Sequence, residues 1–597
     1  MSERAPGAGH SENNMEKAVG WSLALFGTAA LIRGFILWQL TDSMTFNYAL
    51  SDGRALQLWS RGIAEGTSPL SSALIGPPLY PLFMAGIFKG LGESLILVRS
   101  VQVVLGSAAC VLLMQAGWAF RSKGTGLIAG FLLAVYPVAI WSDFSIQTAS
   151  IDVFLVCLAL AVAADFQGNP HRRKLLSLGL VFGLLFLSRE SAYVLVGASI
   201  LILFLAAKSS WADRGLNALV LLGGVAIVVV PMTWADWSVR GDLRLLKTPL
   251  SYHLYQGGPN GSARSGLYQP PLDGNIAAEF LAVQLGHFPT AEEMSDFYDQ
   301  QIEARAAAGR GNSAGALLRK LLLSLDATEP FDTQEAWLHA ENSKIFNGLL
   351  EIVNFGWILP LAFFGAWVVW PERSRLSWLY GWSFFWLSWS VIFYHYGRHR
   401  LILVPILLLF AAAGLVGASQ FVRSRPRWVV ASAIVSTGII LWVSQGTLVR
   451  ANVERSLAYH GVASGLAELG LEEMATLKME DALDIDAENA FAHHDLGALY
   501  AQRRWYGAAA NHFSEAVRIR PDYEQAYRDL AEAQFASFES AQAAETYKAL
   551  LRLQPENSDV WFELGRVQLD AGQFDQAQMS FRRSVALKRG SAASPAQ

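Results

Sequence analysis

RWVVASAIVSTGIILWVSQGTLVRANVERSLAYH, from Arg427 to His460, contains the change of solvent on which the fold turns. Its first half, Trp428–Val443, is apolar and uncharged, in keeping with a helix of about 17–25 residues that crosses a bilayer. From about Ala451 the chain becomes polar and rich in Ala, Glu and Gln. A membrane part therefore precedes this point and a soluble part follows it. Of 597 residues, 53% are hydrophobic and only 16% charged, against about 25% charged in ordinary soluble domains, which excludes a purely soluble enzyme. The formal net charge of −4 lends no support to nucleic-acid binding. Cys110 and Cys157 both lie in apolar runs, so no structural disulfide is expected.

Upstream, ten further apolar runs read as spans: Ala18–Leu40, Ser94–Phe120, Thr125–Trp141, Ile146–Ala164, Leu175–Leu187, Ala192–Ala207, Leu216–Trp234, Ile345–Trp370, Leu376–Tyr394 and Leu401–Phe421. Eleven spans place every short basic link on one side, together with Lys17. These links hold Arg121/Lys123, Arg172/Arg173/Lys174, Lys208/Arg214, Arg373/Arg375 and Arg423/Arg425/Arg427. Short cytoplasmic links are the ones enriched in Lys and Arg, so that side is inner. Ser188-Arg189-Glu190 interrupts Leu175–Ala207, and basic residues at both ends favour a hairpin there. The outer side then receives the turns near Asp143, Arg189 and Arg398, two long loops, and everything after the last span. Arg33 reads as the only obvious charge inside an otherwise apolar span.

Downstream, the chain repeats every 34 residues. Leu496, Leu530 and Leu564 recur at that spacing, as do Ala509, Ala543 and Ala577, Pro521 and Pro555, and the large residues Phe513, Tyr547 and Phe581. With Gly497, Tyr500, Trp561 and Gly565 they resemble the tetratricopeptide pattern, in which a small Ala lets two helices approach and Pro ends the second. The expected fold is therefore all-α: a polytopic bundle of transmembrane helices followed by an α-solenoid of tetratricopeptide repeats. The expected divisions are an inner tail (1–17), a membrane domain (18–446) with outer loops 41–93 and 235–343, repeats over 451–590, and a disordered end (591–597). The repeats divide as 454–487 (degraded), 490–523, 524–557 and 558–590. Such arrays bind proteins, so chemistry is sought in the membrane domain.

Just beyond the first span, NYALSDGRALQLWSRGIAEG carries Asp52, an isolated carboxylate that reads alone as a solvated loop charge. Beside GPPLYPLFMAGIFKGLG (76–92), LLAVYPVAIWSDFS (132–145), GLLFLSRES (183–191), LYQGGPNGSARSG (254–266) and YGRHRLILVPILLLFAAAG (396–414), it takes on another meaning. In order and spacing these segments resemble the polytopic glycosyltransferases of the C superfamily, especially the family-39 type of protein O-mannosyltransferases and lipid A aminoarabinose transferases. The resemblance implies transfer of a sugar from a polyprenyl-phosphate donor at the outer membrane face. Such a transfer needs a carboxylate to take the acceptor proton and cations to stabilise the departing phosphate. Asp52 corresponds to the family's loop aspartate. Arg189, Arg398 and Arg400, the arginines of the tight outer turns, suit the phosphate by their planar forks. Asp143, Glu190, His395 and His399 are candidates for the sugar or acceptor site. Two departures stand out: Gly76 replaces the basic residue that precedes the paired prolines in aminoarabinose transferases, and Asp52 has no acidic neighbour. A second acid would be Asp143, which reads equally as a helix cap before Ile146.

No metal or other cofactor is expected to be required, although a divalent cation stays open. The partners expected are the lipid-linked donor, membrane lipids and an acceptor protein on the repeats, with no nucleic acid. The place expected is the bacterial inner membrane, with the repeats on the periplasmic side. Two other functions compete, namely an O-antigen-ligase-like or oligosaccharyl-transferring enzyme and a non-enzymatic transporter or membrane assembly scaffold. Neither sugar nor acceptor is legible.

Overall fold

The computed structural model describes residues 8–41, 45–50, 52–67, 77–206, 210–240, 281, 291–307, 314–327, 338, 342–393, 397–445 and 451–592. Among them no strand forms, and the chain divides after Arg450 into a membrane unit and a repeat unit. The expected positions His395, Gly76 and 254–266 lie outside the described residues.

The membrane unit opens with α1 (Ala8–Leu40), which begins ten residues earlier than the expected span, and continues through α2 (Asp52–Glu65), α3 (Leu79–Leu91) and α4 (Leu95–Phe120). Next come α5 (Lys123–Val135), α6 (Pro137–Ser142), α7 (Ala149–Gly168), α8 (Arg172–Ser188), α9 (Tyr193–Ala206) and α10 (Trp211–Arg240). α11 (Ala291–Ala307) and α12 (Ala314–Ser324) precede α13 (Lys344–Ile352), α14 (Phe355–Val369), α15 (Ser377–Phe393), α16 (Gly397–Leu401), α17 (Val404–Ser424) and α18 (Arg427–Ser444). Among the described residues, seven helices are long and apolar enough to cross a membrane. Two expected spans are corrected. Thr125–Trp141 is not one helix, because Pro137 has no N–H to continue it and Tyr136 takes an extended conformation (φ −73°, ψ 112°). Ile345–Trp370 breaks at Val353–Asn354, where Asn354 is extended and its amide side chain bonds back to the Glu351 carbonyl.

Three times in the unit, two helices run parallel with a returning helix between them. Cys110 lies near Cys157 just as Arg99 reaches Phe144, so α4 and α7 are parallel. Arg172 meets Asp213, and Gly183 abuts Val228, so α8 and α10 are parallel and α9 returns between them. Gly365 meets Phe410 and Gly414, and Gly417 meets Val368, so α14 and α17 are parallel. This last crossing is backbone on backbone: a Cβ on Gly365 would fall 1.8 Å from the Phe410 carbonyl oxygen. Lipid offers apolar side chains no reason to leave it, so helices in a bilayer associate through close contact of this kind.

The repeat unit comprises α19 (Ala451–Glu468), α20 (Glu472–Ile485), α21 (Ala490–Gln502), α22 (Tyr506–Ile519), α23 (Glu524–Ala536), α24 (Ser540–Leu553), α25 (Ser558–Asp570) and α26 (Phe574–Ala592). α26 continues through Ser591 and Ala592, two residues into the stretch expected to be disordered. The period of 34 becomes four helical hairpins. Their seams bury Ala509, Ala543 and Ala577 beside Phe513 and Tyr547, and Leu496, Leu530 and Leu564 fill the interior. Asn489 and Asn557 cap α21 and α25 by accepting two backbone N–H bonds each.

A polar chain ties these hairpins together. His494 Nδ1 lies 2.9 Å from Asp495 and its Nε2 lies 2.7 Å from Asp529, while His460 Nε2 lies 2.8 Å from Asp495. Burial opposes the charged imidazolium of His494, yet the hydrogen bonds and charges of Asp495 and Asp529 outweigh it and lift the group to about 9. A histidine pKa raised on folding stabilises fully below its unfolded value of about 6.5, and that stabilisation is lost as pH rises through the folded value. The repeat unit should therefore weaken between pH 6.5 and 9, by on the order of 2 kcal/mol. Amide exchange in α21 and α23, corrected for intrinsic rates, should quicken by about 30-fold over that interval. Equal protection at both pH values would show that the network stabilises nothing.

Candidate active site in the membrane unit

The turn between α6 and α7 is held by buried polar side chains of α1 and α4. Pro137 leaves the Leu133 carbonyl without its helical donor, and the break at Tyr136 frees the Ala134 carbonyl. Arg33 of α1 donates to both, at 3.3 and 3.0 Å, and its Nε donates to Asp143 at 2.8 Å. Asp143 also accepts from Ser150 at 2.7 Å, and a Cβ on Gly106 would fall 1.9 Å from its carboxylate, so α4 must be bare there. Arg33 and Asp143 are 1% and 2% exposed. Asp143 is therefore not the cap of α7, whose N-cap is Thr148, but half of a buried ion pair joining α1 to the turn.

Two residues of α4 hold the same turn by its backbone. Arg99 donates to the Phe144 carbonyl at 2.8 Å, and Gln102 donates to those of Ser145 and Asp143 at 2.9 and 3.2 Å. Tyr80 of α3 donates to Gln102 at 2.8 Å. The Arg99 guanidinium also lies 3.9 Å from the ring centroid of Phe46, which packs on Trp141 and Phe144. Phe46 thus anchors the segment that leads into α2, and Asp52 is the first residue of that helix. The side chain of Asp52 lies outside the described residues.

A second buried pair stands at the first turn of α7. Arg189, released from helix geometry between α8 and the 3-10 turn Glu190–Ala192, donates from Nε and Nη2 to one oxygen of Asp152, at 3.0 and 2.8 Å. Ser188 donates to the other oxygen at 2.6 Å, and Thr148 to the first at 3.1 Å. Nη1 of Arg189 makes no hydrogen bond among the described residues. Glu190 is buried at the start of the turn. Arg33 is accordingly not the lone charge within the apolar runs, since Arg99 and Asp152 are also buried in them. A charge embedded in an apolar run was the available signal for both.

Arg400 and His399 sit in α16, which packs against α7. Arg400 Nη1 donates to the Asp326 carbonyl at 2.6 Å, and its guanidinium lies 4.0 Å from the centroid of Phe355. His399 is buried, and its carbonyl accepts from the Trp386 indole at 2.9 Å. The side chain of Arg398 lies outside the described residues. Among the described residues no group of three or more His, Cys, Asp or Glu is placed to hold a metal ion.

Residues 76–235 match the family model described as dolichyl-phosphate-mannose-protein mannosyltransferase, and residues 535–590 match a tetratricopeptide-repeat model. No curated protein matches. Among solved structures, a crystal structure of MamA is 18% identical, with a TM-score of 0.23, over 29% of this chain and 96% of that one. A MamA fragment from Desulfovibrio magneticus RS-1 is 18% identical, with a TM-score of 0.22, over 28% of this chain and 90% of that one. The first tetratricopeptide repeat of Spaghetti (RPAP3), bound to an HSP90 peptide, is 20% identical, with a TM-score of 0.19, over 20% and 97%. Likenesses this low in TM-score carry no argument. The two family matches support a membrane glycosyltransferase that carries tetratricopeptide repeats.

Proposed function

From that premise we propose that the chain transfers a sugar from a polyprenyl-phosphate-linked donor to an acceptor protein held by the repeats, at the outer face of an inner membrane. One observation carries the reading: the stretch matched by the mannosyltransferase family model, 76–235, contains the turn fastened by Arg99 and Gln102 and both members of the Asp152–Arg189 pair. In this proposal Asp52 takes the acceptor proton. Asp152 holds Arg189 by one edge, so that Nη1 is presented to the donor phosphate, where Arg398 and Arg400 supply further charge. Asp143 acts through Arg33 as a support for the turn. Glu190, His395 and His399 are assigned in this proposal to recognition of the sugar or acceptor.

The test is direct. Purified protein is incubated with radiolabelled polyprenyl-phosphate sugars and candidate acceptor proteins, and the product is read by mass spectrometry. The expected product is a protein bearing one sugar. Truncation after Ser444 should leave slow transfer to small acceptors while transfer to the native acceptor falls sharply. Transfer of a preassembled glycan would favour the ligase-like or oligosaccharyl-transferring alternative, and no transfer from any donor would favour the scaffold.

A further inference from the structure

In the repeat unit, His493 of α21 and His512 of α22 meet across one hairpin, with their Nδ1 atoms 3.1 Å apart. Nε2 of His493 lies 3.2 Å from the Ala487 carbonyl oxygen. A carbonyl only accepts, so Nε2 carries the proton and Nδ1 presents a lone pair toward His512. Metal-ligating histidines are arranged in this way, with the second ring nitrogen donating to a carbonyl that fixes the tautomer. In the hydrogen bond between the rings, His512 therefore supplies the Nδ1–H.

The separation fits a shared cation. With bonds of about 2.0–2.1 Å, two nitrogens on one zinc ion lie about 3.3 Å apart at the tetrahedral angle and about 2.9 Å apart at a right angle. The rings now face head-on, so binding requires each to pivot off the line between the nitrogens. Both side chains are half-buried and reach solvent, which permits the pivot. Burial lowers the pKa of both imidazoles, and for His512 the neighbouring His493 lowers it further. Glu515 opposes this at both rings, Glu488 opposes it at His493, and Arg518 reinforces it there. Neutral imidazole is the ligating form, and it suits Zn2+, Cu2+ and Ni2+.

We propose that His493 and His512 form a two-histidine site for a divalent transition cation of the zinc and copper class, separate from the chemistry of the membrane unit. Because no third His, Cys, Asp or Glu joins them among the described residues, water completes the shell. On binding, the bridging proton of His512 moves from Nδ1 to Nε2 through solvent, so no net proton is released. The cation clamps α21 to α22 at the middle of the repeat array.

Untagged full-length protein in detergent, stripped with chelator, is titrated with Zn2+ by calorimetry. One site is expected whose Kd rises at least 10-fold in His493→Gln and in His512→Gln, and which disappears in the double variant. His171→Gln should leave it unchanged. A second measurement needs no substitution: saturating Zn2+ should slow amide exchange in α21 and α22 of the wild-type protein at least 10-fold, with little change in α25 and α26. Zn2+ affinity that survives in the double variant, or exchange in α21 and α22 indifferent to Zn2+, overturns the proposal.

Discussion

Asp52→Asn should lower turnover by about 100-fold or more while donor binding barely changes. Asparagine keeps the shape and hydrogen-bonding capacity of aspartate and removes only its ability to take a proton. The arginines should behave differently, because a charge-assisted bond to phosphate contributes about 1.5–3 kcal/mol. Arg189→Ala, Arg398→Ala or Arg400→Ala should therefore weaken donor binding together with turnover, by about 10- to 150-fold for whichever meets the phosphate. Arg189→Lys should rescue little, since a point charge cannot hold Asp152 with one edge and offer a second nitrogen outward. Steady-state kinetics with a labelled donor separate the two patterns. Near-normal turnover of correctly inserted Asp52→Asn protein would reduce Asp52 to an ordinary charge at the start of α2 and make Glu190 the next base to examine.

Arg33→Met alone should cost roughly 3–5 kcal/mol of stability, because it leaves the Asp143 carboxylate buried without its cation. Adding Asp143→Asn should recover most of that loss, since removing both charges leaves nothing uncompensated. The single variant also strips the Leu133 and Ala134 carbonyls of their donor, so recovery should stop short of complete. Thermal denaturation in detergent, followed by the loss of monodisperse protein, measures both variants. If Arg33→Met melts with the wild type, the ion pair is not what fastens α1 to the turn.

The features legible in the sequence are those written locally. The repeats show because each hairpin needs the same small residue at the same offset, so Ala509, Ala543 and Ala577 announce themselves by period alone. Ser188-Arg189-Glu190 shows as a polar break within an apolar run, and the helix does end there. What stayed hidden depends on contacts between distant elements. Arg33 and Asp143 are separated by 110 residues and Asp152 and Arg189 by 37, and no spacing rule pairs them. From sequence Asp143 therefore reads as a cap or second acid, and nothing local marks Asp152 as the partner of Arg189. Pro137 is visible, but the hydrophobic run masks its effect: apolar continuity reports exclusion from water, whereas helix continuity depends on backbone donors. The crossing at Gly365 and Gly414 was invisible for a related reason, because a glycine becomes informative only when its partner backbone is known.

The Arg33–Asp143 pair also has a schedule. Synthesis proceeds from the N-terminus at about 5–20 residues per second, so a guanidinium born in the first span waits roughly 5 to 20 s for a carboxylate made 110 residues later. Through that interval α1 carries a cation that lipid does not welcome, and it settles only when the α6–α7 turn arrives to claim it. An early charge in this chain is therefore matched only by a later segment, and a chain that ends before Asp143 keeps the Arg33 guanidinium without its carboxylate.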